Sequence, residues 1–280
     1  MSEQQRNRRA APWERLQGYD ALVQTAEVDV DGHRYFYRYA GEERAGALPL
    51  VLIHGLGVSS AYWGRLFPWL ADHRPVYALD LPGFGRTDDP DEILNSVQLA
   101  HATRRWMETV GLDCAHVLAH SQGAQVAIEL ADDCPHHVAS LTLASPTLGE
   151  RDPPMPWMAF RLLRDAPRED RSLLPVLTRA YIRSGLVPMV RTNHLLSHDD
   201  SVETLGRLDL PTFLVRGEHD PVVTARAIRL LAHAAPHAKC ALISAAPHGF
   251  HWSHALKLAR LVNDFLADLD APETACDTAE

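Results

Sequence analysis

The sequence has little cysteine, no surplus of basic charge and no long apolar run, and each shortage removes a class of protein. Its 280 residues include four cysteines, Cys114, Cys134, Cys240 and Cys276, which lie far apart and form no CxxC pair. They are too sparse for a disulfide scaffold and read as incidental thiols. The formal net charge is −9, which argues against a nucleic-acid partner, because phosphate binding needs a basic surface. No apolar stretch approaches the ~20 residues that span a bilayer, so no membrane insertion is expected. The opening residues, MSEQQRNRRAAPWERLQGYD, lack the apolar segment of a signal peptide, and Arg8-Arg9 without that segment is no twin-arginine signal. The expectation is a cytoplasmic protein.

Hydrophobic residues make up 46% of the chain and charged residues 22%, enough apolar content for one large core. Apolar and polar residues alternate on both sides of Asp31-Gly32 in 26–41, a hairpin signal. A continuous apolar run follows at 48–55, as expected of a strand buried on both faces, 75–83 reads as the next buried strand, and 115–121, 138–146, 211–220 and 238–249, the last with a loop, also read as strands. Helical patterns separate most of them, including 96–111 and 122–135; Pro68 is expected to kink or divide the one after the first run. Strands alternating with helices predict a mostly parallel α/β sheet covered on both faces. The rhythm breaks at 149–207, where helical patches occur without a strand, too long a stretch for a plain loop. The expected organisation is an N-terminal segment 1–25, a core 26–148 and 208–270, a helical cap 149–207 and a tail 271–280.

Functional residues in such sheets collect beyond the carboxyl ends of the strands. The run at 48–53 ends in His54-Gly55-Leu56-Gly57, the next in Leu81-Pro82-Gly83-Phe84-Gly85, and 115–119 in His120-Ser121-Gln122-Gly123. The last two end in Glu218-His219-Asp220 and Pro247-His248-Gly249. A serine, a carboxylate and a histidine thus close three strands in that order. Over nearly its full length, and through HGLG, DLPGFGRT, AHSQG, GEHDP and PHG together, the chain resembles the serine-nucleophile, esterase-like branch of the α/β-hydrolase fold family. The resemblance implies an eight-stranded type of sheet with an inserted helical cap.

The resemblance also assigns roles. Ser121 becomes the nucleophile, His248 its base and later acid, and Asp220 the group that orients the imidazole. A strained elbow needs small neighbours two positions from the serine; Gly123 fits, and Ala119 stands where glycine is commoner. Backbone N–H groups of Gln122 and Leu56 would form the oxyanion hole, with Gly55 as the alternative to Leu56. Substrate-pocket candidates are His54, Gly55, His120, Trp157 and Phe160. His54 and His120 suit loop shaping or pocket lining, not catalysis, and Asp80 suits a structural carboxylate beneath the PGFGRT loop. Glu218 is the rival acid. The histidines in HGFHWSH lack a cysteine or carboxylate partner, so no metal and no cofactor is called for. At helical spacing most cap apolar residues (Met155, Trp157, Met158, Phe160, Leu162, Leu163, Leu173, Leu174, Val176, Leu177) should pack the cap onto the core, while Arg191 and His194 should lie on a solvated face.

A serine at the elbow argues against haloalkane dehalogenase and epoxide hydrolase chemistry, which needs an aspartate there. The expected function is hydrolysis of a small, largely apolar ester, thioester or lactone through an acyl-enzyme on Ser121. Two alternatives stand beside it. One is carbon–carbon bond hydrolysis of the meta-cleavage type, weakened because Gly249 follows the histidine where a tryptophan usually does. The other is a non-catalytic binding protein on the same fold. A perhydrolase or cofactor-free haloperoxidase side activity would use the same three residues. The partner is thus a small-molecule acyl substrate, and a homodimer stays open.

Overall fold

A computed structural model describes residues 23–149, 151–235 and 237–270. The expected N-terminal segment, apart from its last three residues, the tail, and Cys276 lie outside the described residues. Eight strands form one sheet in the order β1-β2-β4-β3-β5-β6-β7-β8. They are β1 (Gln24–Val30), β2 (His33–Ala40), β3 (Leu50–Ile53), β4 (Val76–Leu79), β5 (Ala115–His120), β6 (Val138–Ala144), β7 (Thr212–Gly217) and β8 (Lys239–Ile243). The β1–β2 and β2–β4 pairs are antiparallel and the other pairs parallel. Asp31 and Gly32, both at positive φ, turn the first hairpin and place Val30 opposite His33. That is the backbone a two-residue hairpin loop demands. Strands β3 and β5 are buried at every position, which is why they read as unbroken apolar runs.

Helices cover both faces. On one side α2 (Ser96–Thr109), α3 (Gly123–Asp133) and α8 (Ala225–Ala234) pack over Val51, Ile53, Val117 and Leu214. On the other, α1 (Phe67–Ala71) and α9 (Ala255–Asp270) pack over Leu50, Leu52, Leu118 and Val215. Pro68 sits in the first turn of α1, after a separate short helix at Ser60–Trp63; it divides the segment and starts the second piece, where its missing N–H costs nothing. Asn95 and Gln98 form a capping box at the start of α2.

Between β6 and β7 lies the helical cap: α4 (Met155–Asp165), α5 (Leu174–Ser184), α6 (Leu186–Leu196) and α7 (Ser201–Arg207). An antiparallel bridge between Gly149 and Asp200 closes its base, and Arg151 pairs with Asp200 there. The last of these helices packs against α3 and α8 of the core. Cys114, Cys134 and Cys240 are free thiols. Among the described residues no helix is long and apolar enough to cross a membrane.

Candidate active site

Strand β5 delivers Ser121 at φ +55, a left-handed conformation that costs a non-glycine residue roughly 1–3 kcal/mol. The crowding around it shows why its neighbours are small. A Cβ on Gly123 would fall 2.4 Å from the His54 carbonyl oxygen, and one on Gly55 would fall 3.2 Å from the Ser121 Cβ. The loop after β3 therefore rides directly against the serine. Ser121 Oγ lies 3.1 Å from His248 Nε2, and His248 Nδ1 lies 2.9 Å from Asp220 Oδ2. Three strand ends far apart in sequence thus supply one connected, largely buried set.

Asp220 is held from four directions. Its Oδ1 accepts the N–H groups of Val222 (2.7 Å) and Val223 (3.0 Å). Its Oδ2 accepts the Ser145 hydroxyl at 2.5 Å as well as the histidine. Burial alone would raise the Asp220 pKa, but the charge and hydrogen bond of His248 and the Ser145 hydroxyl outweigh it and hold it below the ordinary aspartate value. For His248, burial alone would favour the neutral ring. Asp220, helped by Glu169 and Asp165, reverses this and raises its pKa above the ordinary histidine value. Glu218, the rival acid, is exposed and accepts the Ala245 N–H at 2.8 Å.

The remaining predicted residues fall into three groups. Gln122 and Leu56 lie beside Ser121 in the chain and in the adjoining loop, and among the described residues neither backbone N–H donates to a protein acceptor. His54 and His120 are fully buried supports. His54 Nδ1 donates to the Gly55 carbonyl (2.8 Å) and its Nε2 accepts the Leu81 N–H (3.0 Å), pinning two site loops together. His120 Nε2 donates to the His248 carbonyl at 3.0 Å; burial and repulsion from His248 push its pKa down to about 3, so it stays neutral. Trp157 and Phe160 are 61% and 54% exposed. They line a groove with Arg161, Arg164, His219 and Pro221, and neither Ser121 nor His248 belongs to that lining. Asp80 ties down its loops by accepting the N–H groups of Ser60 (2.6 Å) and Arg86 (2.8 Å). Among the described residues no group of three or more His, Cys, Asp or Glu is arranged to hold a metal ion.

The cap closes on this site. Ser184 donates to the Gly57 carbonyl (3.1 Å), and the Gln122 amide donates to Asn193 (2.6 Å). Met189 and Tyr181 pack so closely on Gly57 that a Cβ there would meet the Met189 Cε at 2.5 Å. Three side chains that the sequence did not single out take part. Ser145, at φ +45 after β6, buttresses Asp220. From the cap, Asp165 Oδ2 accepts the His248 N–H (3.0 Å) and Glu169 Oε1 accepts the Gly249 N–H (2.6 Å). A hydroxyl at the end of the strand beside β7 was a usable signal for Ser145. Nothing local marks the two carboxyls.

Sheet order, the elbow at Ser121 and the insertion between β6 and β7 define an α/β-hydrolase fold with a helical cap. A family model described as alpha/beta hydrolase fold matches residues 49–174. The chain is 29% identical over 279 residues to the 2-hydroxy-6-oxononadienedioate/2-hydroxy-6-oxononatrienedioate hydrolase 2 of Pseudomonas putida, covering 88% of this chain and 95% of that one. It is 34% identical over 179 residues to the dihydrolipoyllysine-residue acetyltransferase component of the acetoin cleaving system of Cupriavidus necator. That match covers 64% of this chain but only 46% of the relative, so the chain spans about half the length of that protein. Among solved structures, the enol-lactonase of Burkholderia xenovorans superposes with a TM-score of 0.73 at 20% identity, over 86% of this chain and 100% of the other. At that identity the likeness concerns the fold.

Proposed function

We propose that the protein is a serine hydrolase that cleaves a carbon–carbon bond next to a ketone in a small 2-hydroxy-6-oxo-dienoate type of compound. The connected set Ser121–His248–Asp220 supports hydrolase chemistry. The nearly full-length similarity to the Pseudomonas hydrolase carries the choice of bond. In this reading the dienol first tautomerises to its keto form. Ser121 Oγ then adds to the distal ketone as His248 Nε2 takes its proton, and the Gln122 and Leu56 N–H groups hold the oxyanion. The carbon–carbon bond breaks with its electron pair taken up as a dienolate, which the His248 imidazolium protonates. Water, deprotonated by His248, cleaves the Ser121 ester and releases a carboxylic acid.

One observation favours a second reading, ester or lactone hydrolysis. Gly249 follows His248, and a Cβ there would meet Glu169 Oε2 at 2.4 Å, so the cap occupies the space a tryptophan would need. Both readings share the attack by Ser121 and differ in the leaving group. The test measures kcat/KM for a 2-hydroxy-6-oxo-dienoate against a p-nitrophenyl ester series and a set of lactones, each with Ser121→Ala as control. A dienoate at least a hundredfold better than every oxygen ester supports carbon–carbon cleavage. The reverse order selects the second reading, and Ser121-independent turnover would sink both.

A further inference from the structure

Asp165, the last residue of α4, is 2% exposed, and Glu169 follows it by one turn. Each carboxyl uses one oxygen on the backbone of the histidine loop: Asp165 Oδ2 on the His248 N–H and Glu169 Oε1 on the Gly249 N–H. The other two oxygens, Asp165 Oδ1 and Glu169 Oε2, are buried and have no donor among the described residues, although the two side chains lie within hydrogen-bond reach of each other. Two facing carboxylates with no donor between them cannot both stay ionised, whereas a single proton between them satisfies both orphaned oxygens.

We propose that Asp165 and Glu169 share one proton and together act as positioning residues for His248. Singly charged, the pair clamps the cap onto the backbone of 248–249 and keeps a negative charge beside the imidazole. Doubly charged, it repels itself and lets go. The role in turnover rests on the hydrolase reading; the shared proton does not. The groups around the pair are His248 with Asp220 behind it, His120 and His251 beyond the ring, and Tyr62 and Tyr181. Arg164 and Arg168 on the same segment point to solvent, and Asp170 pairs with Arg65 at 2.6 Å. None of these surrounding groups is a cation placed between the two carboxyls. Burial, reinforced by Asp165, pushes Glu169 up to about 8. The folded chain therefore binds more protons than the unfolded one between the ordinary glutamate value and about 8, so stability falls as pH rises through that window and levels off above it.

Amide variants test this directly. In Glu169→Gln the amide oxygen keeps the Gly249 bond, and the NH2 offers Asp165 Oδ1 the hydrogen that the shared proton supplied. Asp165→Asn does the same from the other side. The double variant sets two NH2 groups face to face with no acceptor between them. Thermal midpoints would be read from pH 5 to 9 for all four proteins. The wild type should lose stability toward pH 8, each single variant should flatten that slope, and the double variant should melt below both singles by on the order of 5 °C. With p-nitrophenyl acetate, wild-type kcat/KM should fall about tenfold per pH unit above about pH 8, and Glu169→Gln should abolish that fall. In the double variant the acidic limb should move to lower pH, because His248 loses its neighbouring charge. Additive losses in the double variant, or a wild-type slope that Glu169→Gln leaves intact, would overturn the shared proton. An intact thermal pattern with a pH profile that Glu169→Gln does not alter would overturn the positioning role. No Ser121-dependent turnover, with the thermal pattern intact, would remove the hydrolase reading and the positioning role with it, and leave the shared proton standing.

Discussion

The inner face of the cap meets the core through directed hydrogen bonds and a small buried apolar cluster, whereas its outer face holds apolar side chains in water. Inward, Ser184, Asn193, Asp165 and Glu169 reach the three loops of the site, and Ser172 accepts the indole N–H of Trp252 at 2.9 Å. Outward, Leu163, Ile182 and Leu186 are 72%, 78% and 75% exposed. A core helix such as α3 does the opposite, burying Val126, Ile128 and Leu130. Hydrogen bonds are directional and each contributes only about 0.5–1.5 kcal/mol. These bonds place the cap accurately over Ser121, the buried cluster of Leu173, Val176 and Ala180 with Val58, Tyr62 and Trp252 holds it down, and the outer apolar residues contribute little.

The largest effects should come from the core side of this contact. Ser121→Ala should lower kcat by on the order of 10⁴ or more, and His248→Ala should do about the same, because the set acts as a unit. Asp220→Asn should cost somewhat less, in keeping with an orienting role. Single-turnover kinetics on the preferred substrate would measure all three, and near-normal turnover by Ser121→Ala would contradict the assignment.

At the base of the cap, Gly149→Ala should be among the most damaging changes outside the site. Gly149 has φ +69, and a Cβ would fall 1.9 Å from the Asp199 carbonyl oxygen. The expected loss is about 2–4 kcal/mol from the clash and the left-handed backbone together. Limited proteolysis should then cut within the cap before the sheet, and simultaneous loss of cap and sheet would show that the two are not separable. Ser145→Ala is subtler. It strips Asp220 Oδ2 of one of its two partners, and a lost partner at a buried carboxylate costs about 1–3 kcal/mol. Urea midpoints should show that loss, together with a reduced kcat that added substrate does not restore.

Much of this was readable in the chain. The alternation of apolar runs and helical patterns marks the sheet because strands buried on both faces need unbroken apolar runs, as in Leu50–Ile53. The order Ser121, Asp220, His248 is legible because each residue ends a strand. What was not legible is long-range or one-sided. Asp165 and Glu169 look like ordinary solvated charges one turn apart; only packing across 80 or more residues turns them inward. Most cap apolar residues were expected to face the core, and Met158, Leu173, Val176 and Leu177 do, but Trp157, Phe160, Leu162, Leu163 and Leu174 point outward. Periodicity shows that a helix has two faces. It does not show which one is turned in, and α4 ends by turning its carboxylate inward. Arg191 and His194 are exposed, as their reading on a solvated face required.

The smallest predicted effect is also the one that sharpens the two-face comparison most. Leu163→Gln, Ile182→Gln and Leu186→Gln should each change stability by no more than about 0.5 kcal/mol, or about 1–2 °C in Tm for a chain of this size, because these side chains gain almost no burial on folding. Leu173→Ala on the inner face removes a side chain that is 1% exposed and packs with Val58, Tyr62 and Trp252. It should cost about 2–5 kcal/mol and should loosen the cap over the histidine loop. Differential scanning fluorimetry on the four variants decides the matter. If the outer variants cost as much as Leu173→Ala, the outer face is covered in solution by something absent from the isolated chain. The concentration dependence of Tm would then show whether that cover is a second copy, since self-association raises Tm by mass action and a lone chain's Tm does not move.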